Sequence, residues 1–180
     1  AKERLDEEGP PLPYECWVKP ATRFDALRLG HAAPPFAEII ARNDSLSDGA
    51  GRFVSAVDPV AQKHFPASVE NGGWVWAEDK KDHAGWIAVP GKTGRIRFRV
   101  NVSKGFVGLG YLETYTDVGV ATCRLGDGTE SSFDSRIDEH VSVTGMDTLS
   151  VEKEDETLAE ETVECWTDGR KFKIISLQSC

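Results

Sequence analysis

The sequence lacks any apolar run near the roughly 20 residues that a membrane-spanning helix needs, so we expect no transmembrane segment. It is poor in basic residues, with 21 Lys and Arg against 30 Asp and Glu in 180 residues, a net charge of −9. Because nucleic-acid binding depends on clustered Lys and Arg, this balance argues against a nucleic-acid partner.

No C-x-x-C pair occurs and the histidines show no ligand spacing, so we expect no metal site and no cofactor. The histidines are His31, His64, His83 and His140.

A complete catalytic motif is also missing. The string Asn43-Asp44-Ser45-Leu46-Ser47-Asp48-Gly49 resembles the first block of GDSL/SGNH hydrolases, with Asp138 and His140 as the remaining triad candidates. However, Asn43 replaces the family's Gly, the family's Asp and His stand three apart rather than two, and no Gly-x-Asn-Asp block completes an oxyanion hole. We interpret the string as a polar loop and predict no catalytic residues. An esterase that uses Ser45 is kept as the third hypothesis.

Two clusters of acidic residues have both a functional and a structural interpretation. Glu78, Asp79 and Asp82 are compatible with a glycosidase carboxylate pair, but a solvated hairpin loop is the simpler interpretation. The run Glu152-Lys153-Glu154-Asp155-Glu156 is typical of a solvated loop rather than of a cation or partner site.

Cysteines and sequons indicate an oxidising compartment. Four widely spaced cysteines suit one or two disulfides, and the sequence leaves all three pairings open. Asn43 and Asn101 begin N-glycosylation sequons. No signal peptide opens the chain, so we expect a processed form or an excised piece of a larger secreted protein. The cysteines are Cys16, Cys123, Cys165 and Cys180.

The composition divides the chain near residue 70. Residues 1–69 are proline-rich, which predicts an irregular arm that packs on the rest of the chain or on a neighbour. Within it we expect two short helices, over Phe36–Arg42 with Pro35 at its first position, and after Asp58 with Pro59 at its first position.

Residues 70–180 show the period of two that is typical of half-buried strands. In 95–100, for example, Ile96, Phe98 and Val100 alternate with arginines. Short strands separated by turn signals, with no amphipathic helix between them, predict an all-β, antiparallel sandwich of jelly-roll type. Gly108 and Gly110 predict a bend or bulge. The predicted strands cover Trp74–Trp76, Ala84–Val89, Arg95–Val100, Phe106–Tyr115, Val118–Leu125, Val141–Thr144, Thr148–Glu152, Thr162–Trp166 and Lys171–Leu177.

A family resemblance covers the same region. Gly73-Trp74-Val75-Trp76-Ala77-Glu78-Asp79-Lys80-Lys81, Gly85-Trp86-Ile87-Ala88 and Gly110-Tyr111-Leu112-Glu113-Thr114-Tyr115 are similar to the C-terminal β-sandwich region of plant and algal GDSL/SGNH-like cell-surface proteins. The resemblance implies an accessory sandwich at a cell surface or wall, apart from the hydrolase triad. Glu113 departs from the basic residue of that pattern.

The leading functional hypothesis is a non-catalytic extracellular module that binds carbohydrate. Aromatic rings that are exposed on strands stack on sugar faces, although a strand aromatic taken alone is more often a core residue. The alternative is a structural subunit of an extracellular coat, fibre or adhesion assembly, with another protein as its partner. The candidate binding rings are Trp74, Trp76, Trp86, Tyr111 and Tyr115.

Overall fold

The computed structural model describes residues 20–26, 33–45 and 59–180, with the backbone alone for 42–45 and 59–60. Two sheets form an antiparallel β-sandwich, and every pairing between named strands is antiparallel. The predicted fold class is therefore confirmed. The strands are β1 Thr22–Asp25, β2 Ser68–Val69, β3 Trp74–Glu78, β4 Ala84–Ala88, β5 Ile96–Val102, β6 Phe106–Thr114, β7 Val120–Leu125, β8 Ser131–Asp134, β9 Ser142–Ser150, β10 Ala159–Thr167 and β11 Lys173–Ser179.

The sheets hold almost all of the core between them. The first sheet has the order β3-β4-β11-β6-β9, with β1 beside β11, and the second has the order β2-β5-β10-β7-β8. In β5 the alternation works as predicted, because Ile96, Phe98 and Val100 are at most 2% exposed while Arg99 faces solvent. β5 thus gives one face to the core and leaves the other outside, whereas β4 and β11 are buried on both faces at nearly every position.

Three details of the strand prediction are corrected. The segments predicted at 141–144 and 148–152 are one strand, β9, because all nine residues of β9 pair with β6. The irregularity near Gly110 lies in the partner strand, where Ile175 is the extra residue between Ile174 and Ser176 of β11. Three short strands, β1, β2 and β8, carry too weak a pattern to be predicted.

Two short helices lie between β1 and β2, within residues 1–69 as expected. Helix α1 spans Phe36–Ser45 and α2 spans Pro59–His64. Pro59 is the first residue of α2, as predicted. Pro35 instead lies outside α1, and its carbonyl accepts the first helical hydrogen bonds, from the backbone N–H groups of Glu38 and Ile39. In the described residues no helix is long and apolar enough to cross a membrane.

The described part of residues 1–69 contributes to the sandwich itself. β1 pairs with four residues of β11, and β2 pairs with β5. The Phe65 ring is fully buried and lies 5.3 Å from the rings of Phe24 and Phe98. The composition boundary near residue 70 therefore does not coincide with an edge of the core.

One disulfide joins neighbouring strands of the second sheet. Cys123 in β7 and Cys165 in β10 are register partners, both fully buried, and their sulfurs are bonded. Cys180 is disulfide-bonded as well. Cys16 lies outside the described residues.

Candidate functional site

Four of the five candidate rings belong to the core. Trp74, Trp76, Trp86 and Tyr111 are between 1% and 5% exposed. The indole N–H of Trp74 donates to the Gly94 carbonyl at 3.1 Å, and that of Trp86 to the Phe65 carbonyl at 3.0 Å. A strand places alternate residues on one face, and for these strands that face points inward. These rings are therefore not available to stack on a ligand, which corrects the sequence-based choice.

The Tyr111 hydroxyl finds its hydrogen-bond partner without leaving the core. Its hydroxyl donates to Asp147 Oδ2 at 2.6 Å, and its ring stacks on Phe172 at 5.2 Å. Burial raises the pKa of Tyr111 far above its ordinary value, and the neighbouring carboxylates of Asp147 and Glu113 add to the rise. Tyr111 is a neutral core residue with a satisfied hydroxyl.

Tyr115 lies just past the end of β6 and is the candidate ring that the structure leaves at the surface. It is 40% exposed, and its ring centroid lies 4.8 Å from that of His140, at an interplanar angle of 36°. The imidazole supports one side of the phenol and so limits its rotation. A ring held in this way loses little further side-chain entropy when a ligand packs on it.

Two open clefts meet at Tyr115. The sheet cleft, of about 360 Å³, lies on the outer face of the first sheet, and the loop cleft, of about 670 Å³, lies beside the turns. They share Tyr115, Thr116 and Lys171. The sheet cleft is otherwise lined by Asp79, Lys80, His83, Leu112, Thr114, Ser142, Val143, Thr144, Lys173 and Ile175. The loop cleft is otherwise lined by Pro90, Asp117, Val118, Arg136, Gly169 and Arg170.

An ion triad shapes the sheet cleft. Asp79 accepts from Lys173 Nζ at 2.6 Å and from Lys171 Nζ at 2.8 Å, and Lys173 also donates to the His83 carbonyl. Burial raises the pKa of Asp79, but the two lysines outweigh it and hold that pKa below its ordinary value of 3.8. Burial lowers the pKa of Lys173, and Asp79 partly offsets this. The prediction of a solvated turn is therefore wrong for Asp79.

The clefts combine hydrogen-bonding groups with a surplus of positive charge. Lys80, Arg136 and Arg170 are exposed at their rims. Hydroxyl groups line the sheet cleft, and those of Thr114 and Ser142 are 3.0 Å apart. An exposed ring with convergent polar groups is the usual arrangement of a small-ligand site, and no nucleophile–base pair stands beside it in the described residues.

Trp166 is the ring that sequence reasoning missed. It alternates with the buried residues Val163 and Cys165 in β10, so it faces outward and is half-buried. The guanidinium carbon of Arg95 lies 4.6 Å from its ring centroid. The sequence contains the signal for this outward position. Val163 and Cys165 are apolar and alternate with Trp166, so a core face formed by those two residues places Trp166 on the opposite face.

The remaining predicted site residues are scattered. Ser45 is the last residue of α1, so residues 43–45 belong to a helix rather than a polar loop. Asp138 and His140 are exposed in the segment between β8 and β9, and Asn101 is exposed on β5. The side chains of Asn43 and Ser45, and all of His31, lie outside the described residues. No group of metal-ligating side chains occurs in the part of the chain that the structure describes.

Comparison with known proteins gives weak likenesses. No family model and no curated protein matches the chain. Among solved structures, a two-domain esterase active on acetylated mannans is 18% identical, with a TM-score of 0.48 over 63% of this chain and 33% of that one. A family 35 carbohydrate-binding module from Clostridium thermocellum is 8% identical, with a TM-score of 0.43 over 64% and 94% of the two chains. This chain spans about a third of the length of the esterase. At these values the likenesses do not decide the function.

Proposed function

We propose that this protein is a non-catalytic carbohydrate-binding module whose site is the pair of clefts that meet at Tyr115. The exposure of the Tyr115 ring between the two clefts is the observation that carries the proposal. The apolar C–H face of a sugar packs against an aromatic ring, while its hydroxyls need donors and acceptors nearby. Thr114, Thr116 and Lys171 supply such groups beside the ring.

The disulfide and an exposed sequon support a location outside the cell. Disulfides such as Cys123–Cys165 are common in oxidising compartments and rare in the cytosol, and the sequon residue Asn101 is exposed. We therefore propose a secreted or cell-surface location and an accessory role beside another domain, in line with the GDSL/SGNH-like resemblance. The alternative esterase using Ser45 receives no support from the described residues.

The test is binding to a panel of neutral plant and algal polysaccharides, followed by calorimetry on those retained. Tyr115→Ala is expected to weaken binding by about tenfold or more, because a lost aromatic stack costs on the order of 1.5 kcal/mol. Tyr115→Phe keeps the ring and is expected to bind within about threefold of the original chain.

Leu158→Ala is the matched surface control, since Leu158 is 65% exposed and lines neither cleft. It should leave binding unchanged. Absence of binding across the panel would reject the proposed function. Binding that survives Tyr115→Ala would move the site away from the clefts.

A second candidate, an assembly subunit, is favoured by β9. This strand pairs with β6 on one side, and within the described residues no strand pairs with its other edge. Val143 and Met146 of β9 are 44% and 41% exposed, and Val141, just before the strand, is 50% exposed. An unpaired edge strand offers its backbone N–H and C=O groups to a further strand, and the proposed occupant is a second copy of β9. Light scattering decides: a dimer that Val143→Lys dissociates supports assembly, and a strict monomer at high concentration rejects it.

A further inference from the structure

The outer face of the second sheet carries a concentrated set of arginines in an otherwise acidic molecule. Arg97 and Arg99 of β5 and Arg124 of β7 point outward beside β10, and Arg95 precedes β5. The register places Glu164 of β10 opposite Arg97 on one side and opposite Arg124 on the other. We call Arg95, Arg97, Arg99, Arg124, Glu164 and Trp166 the arginine face.

One carboxylate serves three guanidinium groups there. The Glu164 carboxylate oxygens lie 2.6 Å from Arg95 Nη1, 2.6 Å from Arg97 Nε and 3.2 Å from Arg124 Nη2. Burial raises the pKa of Glu164, but hydrogen bonds from Arg97 and Arg95 outweigh it and lower that pKa, so the carboxylate is charged at neutral pH. Glu164 is thus the one largely buried carboxylate among three guanidinium groups, while the other two carboxylates within reach, Glu70 and Glu130, are solvated at the edge of the cluster.

The guanidinium groups of the arginine face remain accessible. The side chains of Arg95, Arg97 and Arg124 are 41%, 39% and 37% exposed, against 10% for Glu164. Glu70 Oε1 lies 3.5 Å from Arg97 Nη1, and Glu130 Oε1 lies 3.9 Å from Arg124 Nη1. Both carboxylates are solvated, and exposed ion pairs of this kind are weak. Arg124 Nε is buried without a hydrogen-bond partner. That nitrogen is out of a ligand's reach, so the groups open to a ligand are the exposed ends of the arginine side chains.

We propose that the arginine face is a second binding surface that takes the carboxylate or sulfate groups of an acidic polysaccharide. Guanidinium forks bind the oxygens of carboxylate and of tetrahedral oxyanions such as sulfate through paired hydrogen bonds. Arg95 lies over the half-buried Trp166 ring, so a sugar that packs at this pair meets the exposed part of the indole. Glu164 holds the arginines in place while sharing its charge among them. This surface lies on the opposite sheet from the Tyr115 clefts and does not depend on them.

An acidic polysaccharide suits the face better than other polyanions do. A protein interface has an apolar centre, whereas this face offers a single ring. Nucleic-acid binding requires many phosphate contacts, and four arginines on a chain of charge −9 provide few.

The experiment compares matched charged and neutral polymers on the full chain at low and physiological salt. The probes are dextran sulfate against dextran, and polygalacturonate against its methyl ester. We expect at least one charged probe to bind, with its neutral partner at least tenfold weaker. The Arg95→Gln, Arg99→Gln double variant and Trp166→Ala are each expected to lower that affinity about tenfold. The affected probe identifies sulfate or carboxylate as the ligand group.

Lys81→Gln is the control, because Lys81 is exposed in the β3–β4 turn, away from this face. It should leave binding unchanged, and circular dichroism should show that all variants are folded. Three outcomes would overturn the proposal. The first is that Lys81→Gln lowers the affinity for the charged probe as much as the arginine variant does. The others are that neither charged probe binds, or that single-stranded DNA binds more tightly than both. Tyr115→Ala should leave polyanion binding intact, so this proposal and the cleft proposal fail separately.

Discussion

At Asp79, one carboxylate holds two ammonium groups against the outer face of the first sheet. Lys173 is 3% exposed and Lys171 is 20% exposed, so neither charge is fully hydrated. A buried ion pair gives little net stability relative to an apolar pair, but loss of one partner leaves the other charge buried and unpaired. Asp79 therefore matters more for stability than its place in a polar turn suggests.

Asp79→Asn is expected to lower the free energy of unfolding by about 3 kcal/mol at neutral pH, because Lys173 keeps its charge without its counterion. The pKa of Asp79 is lowered in the folded state, so its contribution is present above its ordinary value of 3.8 and is lost as the pH falls below it. The variant should therefore show a shallower loss of stability on acidification. Urea unfolding across pH 2–7 measures both effects.

Asp82→Asn is the matched control for this prediction. Asp82 lies in the same turn, is exposed, and has a φ of 63°, which Asn also adopts readily. The free energy of unfolding of the Asp82→Asn variant should stay within about 0.5 kcal/mol of that of the original chain. An Asp79→Asn variant as stable as this control would mean that Lys173 is hydrated or relocates without cost.

Among the elements, β7 and β10 are joined both by backbone hydrogen bonds and by the Cys123–Cys165 disulfide. The two cysteines are register partners separated by 42 residues in sequence. The intervening segment contains β8 and β9, so the bond closes a loop that links the two sheets. Such a bond restricts the unfolded chain more than it adds contacts to the folded one.

Replacing both cysteines by alanine is expected to cost about 4 kcal/mol in the free energy of unfolding, from the loop-closure entropy of a loop of this length. Denaturant unfolding measures it. The oxidised original chain is the comparison, because reduction would also break the bond at Cys180. A loss under 1 kcal/mol would show that the strand pairing holds the loop closed without the bond.

For the whole molecule, the core extends past the composition boundary at residue 70. Phe65 packs against Phe24, Trp76 and Phe98, and its carbonyl accepts the indole N–H of Trp86. Residues from both sides of the boundary thus share one core. Cooperative unfolding should therefore include the segments before residue 70.

The fragment 70–180 lacks Phe65, β1 and β2, and we expect it to lose near-ultraviolet circular dichroism and a sharp thermal transition.

Phe65→Ala in the full chain should lower the free energy of unfolding by about 4 kcal/mol, because it leaves a cavity among aromatic rings. Lys63→Ala, at an exposed position of α2, should change stability by less than about 0.5 kcal/mol. A fragment that unfolds as cooperatively as the full chain would contradict a shared core.

The sequence alone determined the strands with strong alternation, such as β5 and β10, because a period of two follows directly from extended backbone geometry. It also determined the two helix sites next to Pro35 and Pro59, since proline fixes local backbone angles. It left the strand pairing open, and with it the partnership of Cys123 with Cys165. It also left open which face of each strand is covered.

Only the tertiary structure decided that last point, and the candidate site depends on it. Trp74, Trp76 and Trp86 share one face of their strands in any sandwich, but alternation does not say whether a second sheet lies over that face. The packing of the two sheets buries these rings and leaves Tyr115 and Trp166 outside. Likewise, Asp79 and Lys173 are distant in sequence, and the pairing of β3, β4 and β11 brings their charges together.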